Sequence, residues 1–407
     1  MSGPLSGIRV VELGVWVAGP GAGGILADWG ADVVKIEPPE GDPCRTFLNV
    51  LGGDLPSNPV FELDNRGKRA IALDLSSERG LALAHQLVAE ADVFLTNLRP
   101  AALERIGLGP DQVHERHPGL VYAIITGYGL EGPEADRGAY DVAAFWARAG
   151  IAESLRGPGG PLPFQRGGMG DHSAAMTGAA MISAALVEQT RTGRGQVVST
   201  SLLRQGCYTI GFDLNIMLMW GRTLGIGVRE TMYSPVVNNY TAGDGRAFWI
   251  VGLEGDRHWP ALARAVGHPE WLTDERFATL TARAINAGVL IGLLDEIFDS
   301  RPLDEWAAAF ENEPELFWSP VNSIEDVVAD EQFLAAKSVV EVPDEQSTMP
   351  MLATPADFDG EPPQPRFRAP HVGEHTREIL AELKVPSDQI EELVTSGVAV
   401  AETAGGA

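Results

Sequence analysis

Short β-branched runs alternate with helical repeats through the first 130 residues. Residues 8–13 read as a buried strand followed by a glycine-rich loop, and 25–29 as a short helical stretch. A second strand at 31–36 stops at Pro38 and Pro39. Ile71, Leu73 and Leu75 alternate on one face of 70–75; a helix follows at 78–90, then strands at 92–96 and 120–125. Strand–helix alternation at this spacing predicts an α/β fold, a Rossmann-like large domain with a mainly parallel sheet covered by helices.

Small and apolar residues from 174 to 187 predict a tightly packed buried helix, and 196–201 a further strand. The texture changes near residue 225. Gly243-Asp244-Gly245 between two β-rich segments predicts a hairpin over 240–251, with helices at 260–266, 279–298 and 303–310. Three segments result: 1–224 as the N-terminal part of the large domain, 225–330 as a small α+β domain, and 331–407 as a linker and returning C-terminal segment. Within the last, 343–370 reads as an ordered linker, 374–383 as a helix, and the tail from 399 as frayed.

The chain has 407 residues and a formal charge of −26, which excludes a broad electrostatic footprint for nucleic acid or anionic membrane. An anionic ligand would have to meet a local cluster of cations. Arg45, Arg66, Lys68, Arg69, Arg99 and Arg105 crowd the N-terminal region and offer one, or they are ordinary solvated charges. The two cysteines, Cys44 and Cys207, build no disulfide framework, and no secretory leader or membrane-spanning run is evident, so a cytoplasmic protein is expected. His371 and His375 lack accompanying acidic or cysteine ligands, and no metal site is expected.

Gly19, Gly21 and Gly24 match the G-x-G-x-x-G dinucleotide pattern after a strand. Five residues separate the strand from the first glycine, however, and Pro20 removes a backbone donor, so a plain strand-to-helix turn competes with that reading. A longer set of blocks is more specific. "GIRVVELGVWVAGPGAGGILADWGADVVKIEPPEGDPCR", "NRGKRAIALDL", "ADVFLTNLRPAALERIGL", "HPGLVYAIITGYGLEGP", "GAYDVAAFWARAG", "RTGRGQVVSTSLL", "PVNSIEDVVAD" and "APHVGEHTREIL" occur in this order over nearly the whole chain. Together they resemble the class III coenzyme A transferases, the CaiB/BaiF family.

The resemblance implies an acyl-CoA:carboxylate CoA-transferase that takes acyl-CoA and a small carboxylic acid as substrates, holds no permanent cofactor, and forms an interlocked homodimer. It implies coenzyme A contacts at Trp16, Val17, Ala18, Arg45, Leu73, Asn97 and Leu98, with Arg105 and Arg137 as phosphate partners. Val17 replaces a glutamine of the formyl-coenzyme A branch, and Ser76 stands where that branch carries a cation. Handling of small oxalate-type acids should therefore differ.

Asp171, in Gly168-Met169-Gly170-Asp171-His172, reads as an N-cap of the following helix. The family resemblance implies instead that it is the attacking carboxylate. Tyr140 and Asp141 read either as packing residues or as part of the site. The related racemases have histidine at the tyrosine position, and a phenol is a poor base near neutrality, which favours transfer over racemisation. A 2-methylacyl-CoA racemase and a non-catalytic acyl-CoA-binding paralogue remain the rival readings, with His172 a substitute base in the first. Phe145, Trp146, Phe164, Met169 and Met176 are candidates for an apolar acyl pocket or for core packing.

Overall fold

The computed structural model describes residues 3–50, 55, 57–223, 228–229, 232, 234–344 and 347–402. The chain divides into two compact units: 1–153 with 163–223 and 334–407, and 154–162 with 224–333. The anticipated boundary at 224/225 lies outside the described residues. Segment 154–162, expected in the large domain, groups with the smaller unit.

Seven strands form the sheet of the larger unit. They are β1 (Arg9–Leu13), β2 (Asp32–Glu37), β3 (Arg69–Leu73), β4 (Val93–Thr96), β5 (Val121–Thr126), β6 (Val197–Ser201) and β12 (Ala399–Val400). Their order is β12-β3-β2-β1-β4-β5-β6, and every pairing is parallel except β12 with β3. Valine and isoleucine fill β1, β2 and β5 because both faces of the sheet are covered. Order reverses between β1 and β4, and in sheets of this topology a crevice opens at the carboxyl ends of the strands flanking that reversal.

The glycine-rich stretch after β1 is helix, not loop. Helix α1 spans Ala18–Asp28 and is buried along its whole length. Its glycines let neighbours approach: a Cβ on Gly23 would lie 2.0 Å from Glu12 Oε2, and one on Gly24 2.8 Å from the Asp64 carbonyl oxygen. Pro20 falls in the first turn, where its missing N–H costs nothing. The dinucleotide reading of Gly19, Gly21 and Gly24 is thereby corrected, since helical packing leaves no phosphate loop.

Four buried charges brace the β1–α1 connection. Lys35 Nζ donates to Glu12 Oε1 (2.9 Å) and the Gly14 carbonyl (2.8 Å), and pairs with Asp42 Oδ2 (2.9 Å). Lys68 Nζ pairs with Glu12 Oε2 (2.7 Å) and donates to the Pro20 carbonyl (2.7 Å) and Asn65 Oδ1 (2.9 Å). Burial opposes ionisation of Glu12, but the two ammonium groups outweigh it and hold the carboxyl below its usual range.

The other expected cations of the N-terminal cluster are also largely engaged. Arg66 is buried against Asp28 (2.8 Å) and reaches the Leu352 carbonyl (2.7 Å). Arg69 pairs with Asp32 (2.7 Å) and Glu382 (2.7 Å).

The C-terminal segment holds more structure than its sequence pattern predicts. An antiparallel hairpin joins β10 (Val339–Pro343) to β11 (Thr348–Leu352), and helices Thr376–Glu382 and Ser387–Thr395 precede β12. Ala399 is fully buried beside Leu73, so this part of the tail is a paired strand; 403–407 lie outside the described residues.

The smaller unit packs helices onto a three-stranded antiparallel sheet of β7 (Val237–Thr241), β8 (Ala247–Val251) and β9 (Trp318–Pro320). Its core is aromatic, with Trp259, Phe277, Phe298, Trp306 and Phe310 buried.

Removing one member of the buried charge cluster leaves its partners uncompensated. Lys35→Met is expected to lose about 3–5 kcal/mol in urea unfolding. The control Lys337→Met, which breaks an exposed pair with Glu361, should change stability by less than about 1 kcal/mol. Equal effects would contradict this account of the cluster.

Candidate active site

A cleft of 660 Å³ lies at the carboxyl ends of β1, β4 and β5. Val15, Trp16 and Ala18 supply one wall, Asn97, Leu98 and Arg99 a second, and Thr126, Gly127 and Leu202 a third. Arg137, Tyr140 and Asp171 complete the lining.

The wall after β1 is held open by specific bonds. Trp16 has φ 66, a left-handed conformation unusual for a bulky residue. Asp42 Oδ1 accepts its N–H at 3.1 Å, while Asn97 clamps Val15 through both backbone groups, accepting at 2.9 Å and donating at 2.8 Å. The Trp16 ring then meets Tyr140 edge-on with centroids 5.7 Å apart.

Asp171 sits in the first turn of the long helix Met169–Thr192, three positions after the N-cap residue Gly168. It is therefore not the N-cap. That task falls to Asp141, whose Oδ2 accepts the Gly170 N–H at 3.1 Å and whose Oδ1 accepts from Gln165 Nε2 at 2.8 Å. Gly170 has no substitute: a Cβ there would lie 2.3 Å from Asp141 Oδ1.

Among the described residues the Asp171 carboxylate has no hydrogen-bond partner. Burial, reinforced by the neighbouring charge of Asp141, pushes its pKa up to about 7; the adjacent His172 opposes the shift and Asp64 adds to it. Helix geometry leaves the N–H groups of Met169 and Asp171 without intrahelical acceptors, so donors accompany the carboxylate.

The cleft gathers Trp16, Ala18, Asn97, Leu98, Arg137, Tyr140 and Asp171 from the residues singled out in the sequence. Others lie elsewhere. Val17 is the N-cap residue of α1. Leu73 is buried in β3 and borders a second cleft of 580 Å³ that shares Val15 and Leu98 with the first and also contains Ser76. Arg45 is held by Glu37 through two bonds of 2.6 and 2.9 Å, with its guanidinium 3.9 Å over the Phe61 ring. Arg105 is exposed in the last turn of helix Pro100–Arg105, outside the lining. Arg137 pairs with Glu134 at 2.6 Å.

The five residues considered for an acyl pocket do not line the cleft. Phe145 and Trp146 are core, and Phe164 is fully exposed. Sequence reasoning left Arg99 among the general basic residues although it lines the cleft, and it gave no role to Gln165 or Asp64. Only the fold brings those two toward Asp141 and His172.

The model for "CoA-transferase family III" matches residues 5–376. The chain is 33% identical to the (R)-2-hydroxy-4-methylpentanoate CoA-transferase of Clostridioides difficile, over 97% of this chain and 99% of the relative. It is 32% identical to the cinnamoyl-CoA:phenyllactate CoA-transferase of Clostridium sporogenes, over 95% of each. A crystal structure of a CaiB/BaiF family protein from Brucella suis superposes with a TM-score of 0.81 at 33% identity, covering 94% of this chain and all of that one. Matched in fold and over nearly its whole length, the chain belongs to CoA-transferase family III, the CaiB/BaiF family of coenzyme A transferases.

Proposed function

We propose that this coenzyme A transferase works by covalent catalysis on Asp171. The observation that carries the proposal is the contrast between two neighbouring carboxylates. Asp141 spends its lone pairs on Gln165 and Gly170, whereas Asp171 borders the cleft with none engaged.

An Asp171 oxygen attacks the thioester carbonyl carbon of the donor. The tetrahedral oxyanion collapses, the C–S bond breaks, and coenzyme A leaves as thiolate, giving an acyl-aspartyl anhydride. The thiolate then attacks the aspartyl carbonyl, forming an aspartyl–coenzyme A thioester and releasing the donor acid. The acceptor carboxylate reverses both steps. Each step exchanges one activated acyl group for another, so the cycle needs no separate energy source. Backbone N–H groups of the helix's first turn are available to the oxyanions, where losing one such donor costs about 3 kcal/mol.

Coenzyme A would run along Trp16, Ala18, Asn97 and Leu98, with adenine beside Leu73 in the adjoining cleft. Arg99, Arg105 and Arg137 would face its phosphates. Val17 and Arg45 would act on the α1 entry and the β2 end. Trp16, Ile125, Tyr140 and Leu202 would give the apolar part of an acid a wall to pack against.

A homodimer is supported by helix Gly211–Trp220, an apolar segment with no buried residue of its own. Cysteine usage supports a cytoplasmic setting, and among the described residues no helix is long and apolar enough to cross a membrane. The racemase alternative needs a free base, but His172 is bound to Asp64 and is absent from the cleft lining.

Incubation with a donor acyl-CoA and hydroxylamine should leave a hydroxamate on Asp171, read by peptide mass spectrometry. Asp171→Ala should abolish transfer while coenzyme A binding, measured by calorimetry, stays within a few-fold. Undiminished turnover in that variant would remove Asp171 from the mechanism.

The raised pKa also sets a stability signature. Asp171 is protonated in both folded and unfolded chains below about pH 4, and ionised in both above about pH 7, where the fold bears the burial cost. Wild-type stability from this group therefore declines as pH rises between those values. Asp171→Asn should be more stable than wild type at pH 8, by on the order of 2 kcal/mol, with the advantage shrinking toward pH 5. A pH-independent difference in thermal unfolding would contradict it.

A further inference from the structure

His172 follows Asp171 directly, yet its side chain is committed away from the cleft. Its Nε2 meets Asp64 Oδ1 at 3.2 Å, and its ring packs over Gly168. Asp64 is 3% exposed, and its Oδ2 has no hydrogen-bond partner among the described residues. The carboxylate is placed by the helix Pro59–Asn65, which Asn58 caps by accepting the Val60 and Phe61 N–H groups, and by α1, whose Gly24 lies close to the Asp64 backbone and whose Gly21 lies close to its carboxylate.

Each member of this pair is unfavourable alone. A buried anion is disfavoured by desolvation, and a cation in the first turn of a helix is opposed by the helix dipole. Together they form a hydrogen-bonded pair beside the turn that carries Asp171.

We propose that Asp64 and His172 form a positioning pair, in which Asp64 fixes the imidazole beside Asp171 and its positive charge favours the ionised, attacking form of that carboxylate. The proposal rests on the reading of Asp171 as nucleophile. Charges around the turn fit it. Asp141 and Asp64 disfavour ionisation of Asp171, and His172 favours it. The hydrogen bond to Asp64, with the added charges of Asp171 and Asp141, raises the His172 pKa above its ordinary value against the effect of burial. Burial pushes the Asp64 carboxyl above its usual range; the hydrogen bond and charge of His172 and the charge of Lys68 oppose that shift, and Glu12 adds to it. His172 acts through Asp171 and touches no substrate, so its loss should move a titration rather than remove a chemical step.

The test uses the full chain and a panel of acetyl-, butyryl-, succinyl- and cinnamoyl-CoA, following donor-acid release from pH 5.5 to 9 with the thioester turned over fastest. In His172→Gln the acid limb should rise by about one pH unit, a roughly tenfold loss at pH 6. At pH 9 the variant should lie within about twofold of wild type. His172→Lys, which restores a cation, should return the limb to its wild-type position and guards against misfolding of the first variant. Superimposable profiles, or an equal loss at every pH, would overturn the proposal. Retained turnover in Asp171→Ala, or no hydroxamate on Asp171 with any of the four thioesters, would overturn the nucleophile reading beneath it. That result is distinct from an acid limb that stays in place while Asp171→Ala is inactive.

Discussion

The site depends on a knot of four buried charges, Glu12, Lys35, Asp42 and Lys68, placed where the first strand runs into the first helix. Two carboxylates balance two ammonium groups, so the knot is neutral overall. Buried ion pairs seldom add much net stability over an apolar core. Their use here is geometric. The knot bonds backbone groups of the connection and of the helix's first turn: Lys35 takes the Gly14 carbonyl, Lys68 that of Pro20, and Asp42 the Trp16 N–H. With those three points fixed, Trp16 keeps a left-handed backbone and holds its ring against Tyr140 at the cleft.

The same knot explains why a chain of charge −26 shows so crowded a set of N-terminal cations. Lys68 belongs to it, Arg66 and Arg69 brace the C-terminal segment, and Arg45 neutralises Glu37, whose Oε2 also accepts the Asp42 N–H. Arg99 is left on the cleft and Arg105 at the exposed end of its helix. Cations of one sequence cluster thus separate into those that hold the fold and those that remain for an anionic ligand. Burial, which sequence does not display, makes the division.

Legibility followed from how local the determining forces are. Strands β1, β2 and β5 could be read because β-branched runs report double-sided burial directly. Helix α1 could not: glycine is a poor helix former, and its use there depends on Glu12, Asp64 and Ala175 pressing from other elements. Strand β12 was hidden for a related reason, since two residues make a strand only when a partner, here Leu73 and Ala72, is already in place. Family resemblance pointed to Asp171, but local pattern assigned it the wrong place in its helix. The true capping group comes from Asp141, thirty residues earlier in the chain, and no helix-start rule looks that far.

That displaced cap clarifies the chemistry. A carboxylate that caps its own helix has its lone pairs drawn into N–H groups, which lowers its basicity and blunts it as a nucleophile. By delegating the cap to Asp141, the turn frees Asp171 while keeping it close to backbone donors. The cost is burial, reinforced by the charge of Asp141, which together push the Asp171 pKa up to about 7. A fixed cation on the next residue makes the arrangement serviceable, and the fold supplies one by bringing Asp64 from a separate helix against His172. Three carboxylates of the same chemical type are thereby set apart, one capping a helix, one paired with an imidazole and one left open to the cleft for its proposed attack, by what each is allowed to bond.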